Sequence, residues 1–265
     1  MNNARPIGVF DSGVGGLSVL RSIRDMLPIE ELIYIADSAY APYGDKPGEF
    51  IEKRSVILAE FFLKQDVKAL VVACNTATAA AISTLRSKYS LPIVGMEPAV
   101  KPAIETTKSG IIGVLATEGT LESEKFGRLV ERFGGGVEVI IQPCPGLADQ
   151  VDRARISSKR TRTLVESYIS PLLKNGADTI VLGCTHYPFL IDLIRDVAGR
   201  RVAIIDTGDA VAREVQRRLE QEGLLSDRKD PGGEQFWTSG KRDEVQQTIS
   251  RLWQRDAEVK CLPLQ

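Results

Sequence analysis

The 265-residue sequence is long enough for one large domain or two modest ones, each with a buried core. Its 34 basic residues are balanced by 35 acidic ones, which argues against nucleic acid or an anionic membrane as a partner. The first residues lack a secretory signal pattern, and no apolar run approaches the roughly 18 residues of a membrane-spanning helix. We therefore expect a cytoplasmic protein that acts on a small molecule.

Eight short apolar runs and a weaker ninth predict β-strands along the chain. In order they are PIGVF, ELIYIA, KALVVA, LPIVGM, GIIGVLA, VEVIIQ, DTIVLG, RVAIID and the weaker EQFWTS. Their apolarity is continuous, so we expect strands covered on both faces. Most intervening stretches are amphipathic, as in residues 15–28, where apolar side chains recur at three- and four-residue spacing. The alternation of strands and helices predicts an α/β fold with parallel sheets.

The four cysteines are far apart in the chain, and none belongs to a CxxC pair. This spacing disfavours both a zinc site and a disulfide framework. Cys144 and Cys261 have no matching partner in the sequence, so we interpret them as buried structural thiols, with Cys261 in a terminal strand. Cys74 and Cys184 differ from them because each follows an apolar run directly.

A degenerate internal repeat relates the two halves of the chain. The IGV triplet at 7–9 matches the triplet at 112–114, and each is followed at a similar distance by an apolar run ending in cysteine, VVACNTATA or VLGCTHYPF. A further strand then ends near an acid, Glu97 or Asp206. The repeat predicts two similar α/β halves whose cysteines face a shared cleft, because ligand groups gather at the carboxyl ends of parallel strands.

Two interpretations of the cysteines remain open at this point. Cys184 and His186, the only histidine, could form a nucleophile and base pair, which leaves Cys74 without a role. Alternatively, thiols on opposite sides of a bound carbon could remove a proton from one face and return one to the other. A thiol between a strand and a helix lies near helix N–H groups, so we expect a lowered pKa. The glycine-rich DSGVGG lacks the spacing of a dinucleotide site.

Four motifs resemble those of the cofactor-independent aspartate/glutamate racemase family, and of its glutamate racemases in particular. They are FDSGVGGLSVL, YIADSAYAPYGDK, VVACNTATA and LGCTHYP. The resemblance implies interconversion of L- and D-glutamate without metal or cofactor, supplying D-glutamate for peptidoglycan and hence for the cell wall. It also implies two pseudo-symmetric flavodoxin-like domains with the active site between them. Residues 1–97 plus 208–265 would form the first, carrying Cys74, and 98–207 the second, carrying Cys184.

The same resemblance assigns roles to individual residues. Cys74 would take the α-proton of D-glutamate and Cys184 that of L-glutamate, each acting as the acid in the other direction. His186 would assist Cys184, and Asp11 would play the matching part near Cys74. Substrate contacts would come from Asp11, Ser12, Tyr43, Gly44, Asn75, Thr76, Thr117, Thr185 and His186.

Several alternatives stay open from the sequence. Many relatives carry a glutamate near Asp152 that can pair with the histidine; Asp152 is one methylene shorter and equally fits a solvated charge. The substrate could be aspartate or another acidic amino acid, although His186 favours glutamate over the Glu-bearing aspartate racemases. A catalytically silent module that binds a carboxylate or a protein is the rival from another class. A homodimer is compatible with the sequence, which leaves its interface open.

Overall fold

The computed structural model describes residues 3–263, which form two parallel β-sheets flanked by helices. The strands are β1 (Ile7–Asp11), β2 (Leu32–Ala36), β3 (Ala69–Val72), β4 (Ile93–Val94), β5 (Ile111–Ala116), β6 (Glu138–Pro143), β7 (Thr179–Leu182), β8 (Ala203–Ile205), β9 (Glu234–Thr238) and β10 (Val259–Cys261). Every strand pairing recorded within these residues is parallel. The predicted α/β class with parallel sheets is confirmed.

Helices connect successive strands. They are α1 (Leu17–Met26), α2 (Gly48–Lys64), α3 (Asn75–Lys88), α4 (Val100–Thr106), α5 (Glu118–Leu121), α6 (Glu124–Phe133), α7 (Leu147–Asp152), α8 (Lys159–Lys174), α9 (Ile191–Ala198), α10 (Gly208–Gln221) and α11 (Arg242–Trp253). Short 3₁₀ turns cover Ser38–Tyr40, Tyr43–Asp45 and Tyr187–Leu190. No helix within residues 3–263 is long and apolar enough to cross a membrane.

The strand orders repeat between the two sheets. The larger sheet has the order β10-β9-β2-β1-β3-β4 and the smaller one β6-β5-β7-β8, so the last four strands of each follow the same path. The matched IGV triplets lie in the corresponding strands β1 and β5. Their glycines serve the same purpose: a Cβ on Gly8 would lie 2.6 Å from the Phe62 ring, and one on Gly113 would lie 2.6 Å from Leu172. In both halves a helix packs directly on the strand backbone.

Two expectations about burial are wrong at the sheet edges. Strand β6 is only partly covered, with Ile141 46% exposed, because it is an edge strand that pairs with β5 alone. Cys261 lies in the predicted terminal strand, but that strand is also an edge and its thiol is exposed. Cys144, by contrast, is buried as predicted. Continuous apolarity therefore predicts the strands but not which of them lie at an edge.

Candidate active site

A pocket lies where the carboxyl ends of both sets of strands meet. Nearly all of the residues singled out from the sequence line it, together with several that were not. Its lining comprises Ser12, Pro42, Tyr43, Gly44, Cys74, Asn75, Thr76, Thr117, Thr120, Ala148, Asp152, Gly183, Cys184, Thr185 and His186. An open cleft of about 800 Å³ adjoins the pocket and shares Pro42 and Asp152 with it. Cys74 and Cys184, one from each sheet, thus share one pocket.

Cys74 lies at the junction of β3 and α3. It is the N-cap residue of α3, and its sulfur accepts a hydrogen bond from the Ala77 N–H at 3.4 Å. The thiol also donates to the Ser12 hydroxyl at 3.8 Å. Burial, reinforced by the negative charge of Asp11, raises the pKa of Cys74 to about 12. The expected lowering of this pKa is therefore wrong, since desolvation outweighs the helix N–H groups. Cys74 rests as a protonated thiol.

Cys184 lies beside an imidazole and a carboxylate. Its sulfur is 3.6 Å from Nδ1 of His186, whose Nε2 is 3.0 Å from Oδ1 of Asp152. Burial by itself would lower the pKa of His186, but the charge and hydrogen bond of Asp152 raise it well above its usual range. Burial would likewise raise the pKa of Asp152, but the paired histidine lowers it. The structure thus settles that Asp152 reaches His186, leaving an imidazolium next to Cys184.

Asp11 lies beneath the pocket and does not line it. Its side chain is fully buried, with Oδ1 accepting from the Ser12 N–H at 2.7 Å and Oδ2 from the Gly16 N–H at 2.6 Å. The Thr185 hydroxyl also donates to Oδ2, at 3.3 Å. Burial raises the pKa of Asp11, although the nearby His186 opposes this shift. Asp11 therefore acts on Cys74 through its charge, while its hydrogen bonds hold the DSG turn and the Cys184 loop.

The glycines of DSGVGG make room for the charged pair of the opposite half. A Cβ on Gly13 would lie 2.5 Å from Oδ1 of Asp152, and one on Gly15 would lie 2.2 Å from Nδ1 of His186. The Val14 N–H between them donates to Oδ1 of Asp152 at 3.0 Å. This motif therefore accommodates a carboxylate and an imidazole from the second half of the chain.

Three threonine hydroxyls form a closed cluster across the pocket. The oxygen of Thr76 is 2.9 Å from that of Thr117 and 3.1 Å from that of Thr120, and these last two are 3.0 Å apart. Thr120 was missed in the sequence, although its position one helical turn after Thr117 was a usable signal. Hydroxyls can reorient to donate to an acidic ligand, so the cluster is an adaptable polar wall.

Asn75 contributes an unpaired amide to the pocket. Its side chain is buried, and neither its nitrogen nor its oxygen has a hydrogen-bond partner among the described residues. Buried polar groups normally have partners, so an unpaired amide that lines a cavity is ready to bind a ligand. Within residues 3–263, no group of three or more His, Cys, Asp or Glu side chains is arranged to hold a metal ion.

Comparison with known proteins adds independent findings. The family model described as Asp/Glu/Hydantoin racemase matches residues 7–215. A glutamate racemase of Methylococcus capsulatus is 56% identical over 98% of this chain and 96% of its own length. The crystal structure of glutamate racemase isoform RacE1 from Bacillus anthracis superimposes with a TM-score of 0.90 at 34% identity, covering 99% of both chains. Glutamate racemase from Escherichia coli, in complex with L-glutamate and the activator UDP-MurNAc-Ala, gives a TM-score of 0.86 at 32% identity over 97% of both chains.

Proposed function

Since the chain belongs to the Asp/Glu/Hydantoin racemase family, we propose that it interconverts L- and D-glutamate and supplies D-glutamate for peptidoglycan synthesis. The observation that carries the proposal is the placement of Cys74 and Cys184, from opposite halves of the chain, in one pocket. Inversion of a carbon centre needs an acid and a base on opposite faces, and two thiols meet that need. No metal or organic cofactor enters this scheme.

The reaction consists of two proton transfers, one before and one after a carbanion intermediate. With L-glutamate, the Cys184 thiolate removes the α-proton, the carbon retains the bonding electron pair, and the Cys74 thiol donates its proton to the opposite face. With D-glutamate the roles are reversed. The raised pKa of Cys74 fits the first direction, because it keeps that thiol protonated as the acid, while the His186 ring lies 3.6 Å from the Cys184 sulfur on the other side. Proton exchange with solvent then restores the starting state.

The carbanion is stabilised by hydrogen-bond donors that are already in place. Negative charge spreads from the α-carbon to the adjacent carboxylate, where fixed donors in a water-poor site are most effective. The available donors are the unpaired Asn75 amide and the Thr76 and Thr117 hydroxyls, whereas the Ser12 and Thr185 hydroxyls line the pocket but donate to Asp11. Asp11 contributes by holding Ser12 and Thr185 in position.

The proposal includes a division into two domains, residues 1–97 plus 208–265 and residues 98–207. Sheet membership supports it, because β1–β4, β9 and β10 belong to the larger sheet and β5–β8 to the smaller one. Relative motion of the two domains would admit substrate and then exclude water. A cytoplasmic location and a homodimer are also part of the proposal, to be checked by cell fractionation and analytical ultracentrifugation.

Proton NMR in deuterated buffer tests the function. Purified, fully reduced protein is incubated separately with L- and D-glutamate without added cofactor, and loss of the α-proton is followed together with optical inversion. We expect both enantiomers to exchange and invert. A folded protein that exchanges neither would overturn the proposal, and aspartate in a parallel sample identifies an enzyme with a different acidic substrate.

A further inference from the structure

A buried ion pair lies behind the pocket wall, away from the two thiols. The Arg54 guanidinium of α2 donates from Nη2 to Oδ1 of Asp37 at 2.8 Å and from Nε to Oδ2 at 3.1 Å. Asp37 is fully buried and Arg54 is 6% exposed. The guanidinium also lies 3.8 Å from the centre of the Tyr40 ring. A two-point pair that stacks on an aromatic ring restricts both partners far more than a point charge would.

The same carboxylate holds Tyr43. The Tyr43 hydroxyl donates to Oδ2 of Asp37 at 2.5 Å, and its ring is buried, with 1% exposed. Tyr43 lines the pocket, yet its hydroxyl is occupied by Asp37. What Tyr43 and Gly44 offer a ligand is therefore their main chain, whose position depends on Asp37.

Asp37 also ties this segment to the floor of the site. Its N–H donates to the carbonyl oxygen of Asp11 at 2.9 Å, and its own carbonyl accepts from the Tyr40 N–H at 3.0 Å. The Asp37 side chain thus fixes the position of the Tyr43 segment relative to the strand end that carries Asp11.

The Tyr43 segment meets the opposite half at very short range. A Cβ on Gly44 would lie 3.1 Å from Cβ of Thr117, and one on Gly119 would lie 2.9 Å from the Gly44 carbonyl oxygen. Two glycines allow this approach across the mouth of the pocket. A shift of a few tenths of an ångström in the Tyr43 segment would therefore change both the shape of the pocket and the contact of Gly44 with the opposite half of the chain.

We propose that Arg54 and Asp37 are positioning residues: their buried pair holds the Tyr43–Gly44 main chain in its substrate-binding position. This inference rests on the proposed function. Neither residue touches the reacting atoms, so the pair acts on substrate binding and leaves proton transfer largely unchanged.

The test compares Arg54→Lys, Asp37→Asn and Tyr43→Phe with the wild type in both directions. Arg54→Lys keeps the charge but loses the two-point geometry, and Tyr43→Phe removes a single hydroxyl. We expect KM for both enantiomers to rise about three- to tenfold per lost hydrogen bond, with kcat changed less than about twofold. The rise in temperature of unfolding that glutamate produces in the wild type shrinks in parallel.

The chain offers a matched control in a second buried ion pair. Lys68 Nζ and Glu30 Oε2 are 2.5 Å apart, with side chains 0% and 1% exposed, and both residues lie at the amino ends of strands, away from the pocket. Glu30→Gln should lower the melting temperature while leaving KM unchanged. It measures what the loss of a buried pair does through stability alone.

Each outcome decides between the alternatives. A raised KM in Tyr43→Phe, and in whichever of the other two variants folds, supports the inference. Unchanged KM values with lowered melting temperatures, as in the Glu30→Gln control, overturn it. If Arg54→Lys and Asp37→Asn do not fold, Tyr43→Phe decides alone. A wild type that racemises neither enantiomer rejects the proposed function instead, and the two failures are thereby distinguished.

Discussion

The two cysteine sites occupy equivalent places in the repeated fold, yet their surroundings differ. Cys74 directly precedes the 14-residue helix α3 and has the Ser12 hydroxyl as its side-chain partner. Cys184 precedes a loop and a short 3₁₀ turn, and its partner is the His186 ring. Strand order therefore repeats while electrostatics does not. The two thiols therefore differ in their surroundings, one buried near Asp11 with a raised pKa and the other in contact with a charged imidazole.

The segments after β2 and β6 show the same divergence. They follow corresponding strands, so both reach the rim of the pocket. After β2, the Asp37 carboxylate accepts hydrogen bonds from Arg54 and Tyr43 and fixes the Tyr43 segment. After β6, α7 ends in Asp152, which pairs with His186. One half uses the buried carboxylate of Asp37 to position main chain, and the other uses the partly exposed carboxylate of Asp152 to keep His186 charged.

Removal of each thiol in turn should have the largest effect and tests directly whether the two cysteine sites differ. Cys74→Ser and Cys184→Ser should each lower racemisation about 10²- to 10⁴-fold, because a hydroxyl is a far weaker base than a thiolate. The equilibrium constant between enantiomers is unity, so kcat/KM must fall equally in both directions. The enantiomer that each remaining thiol deprotonates therefore has to be determined from the entry of deuterium into unreacted substrate.

We expect Cys74→Ser to exchange L-glutamate faster than D-glutamate, and Cys184→Ser to show the reverse. Equal exchange of both enantiomers in both variants would contradict the facial assignment. Cys261→Ser, which changes an exposed thiol in an edge strand, is the control and should retain wild-type activity.

Removal of the Asp152 charge tests the electrostatic half of the comparison. Asp152→Asn should lower kcat/KM about 10- to 100-fold, the cost of a hydrogen bond to a charged group. The pKa of His186 should fall toward 6.5, so the alkaline limb of the pH profile moves to lower pH. Asp149→Asn, on the same helix, is the matched control. An unchanged profile in Asp152→Asn would show that His186 does not carry this charge in catalysis.

Asp152→Asn also tests how the free energy of unfolding depends on pH. The raised pKa of His186 stabilises the fold fully below its unfolded value of 6.5 and loses this contribution as pH rises through the folded value. The lowered pKa of Asp152 stabilises it above 3.8 and loses this contribution as pH falls through the folded value. In urea unfolding, the difference between wild type and Asp152→Asn should be largest between pH 3.8 and 6.5, at about 1.5–3 kcal/mol.

Two glycines, Gly15 beside the His186 ring and Gly119 beside Gly44, offer a finer test. Gly15→Ala would place a Cβ 2.2 Å from His186 Nδ1, so we expect about a 5- to 100-fold loss of kcat/KM as the ring moves. Gly119→Ala meets the Gly44 carbonyl at 2.9 Å and should chiefly raise KM, by about fivefold. Gly48→Ala, which faces open space, controls for helix propensity. Equal effects on kcat at positions 15 and 119 would contradict the distinction between the His186 ring, which acts in proton transfer, and the Tyr43 segment, which acts in substrate binding.

The smallest expected effect is at Cys144, the buried thiol of the second half. Cys144→Ala should lower the free energy of unfolding by about 1 kcal/mol, because it leaves a small cavity. Racemisation should stay within about twofold of the wild type. A large loss of activity in a stably folded Cys144→Ala variant would show that the Cys184 side contains a third functional thiol.

Sequence pattern alone predicted the nine strands it singled out and the placement of Cys74 and Cys184 at one shared cleft, because periodicity and repeated spacing are local signals. Resemblance to the racemase family assigned Ser12, Asn75 and Thr117 to the pocket that they line, but Pro42 and Gly183, which lie within the quoted motifs, were not singled out. Resemblance, rather than pattern, supplied the substrate and the facial assignment of the thiols. Thr120 lay outside the quoted motifs and was missed.

Only the tertiary structure decided the charges and the edges. Asp152 meets His186 because the end of α7 packs against the DSGVGG turn, a contact between distant parts of the chain. The pKa of Cys74 rises because burial and Asp11 outweigh the helix N–H groups, and Cys261 is exposed because its strand has one neighbour. Desolvation and long-range charge depend on distance in space. The sequence by itself therefore determined the strands and the two cysteines at their ends, and the packing determined which groups surround each thiol and in what charge state.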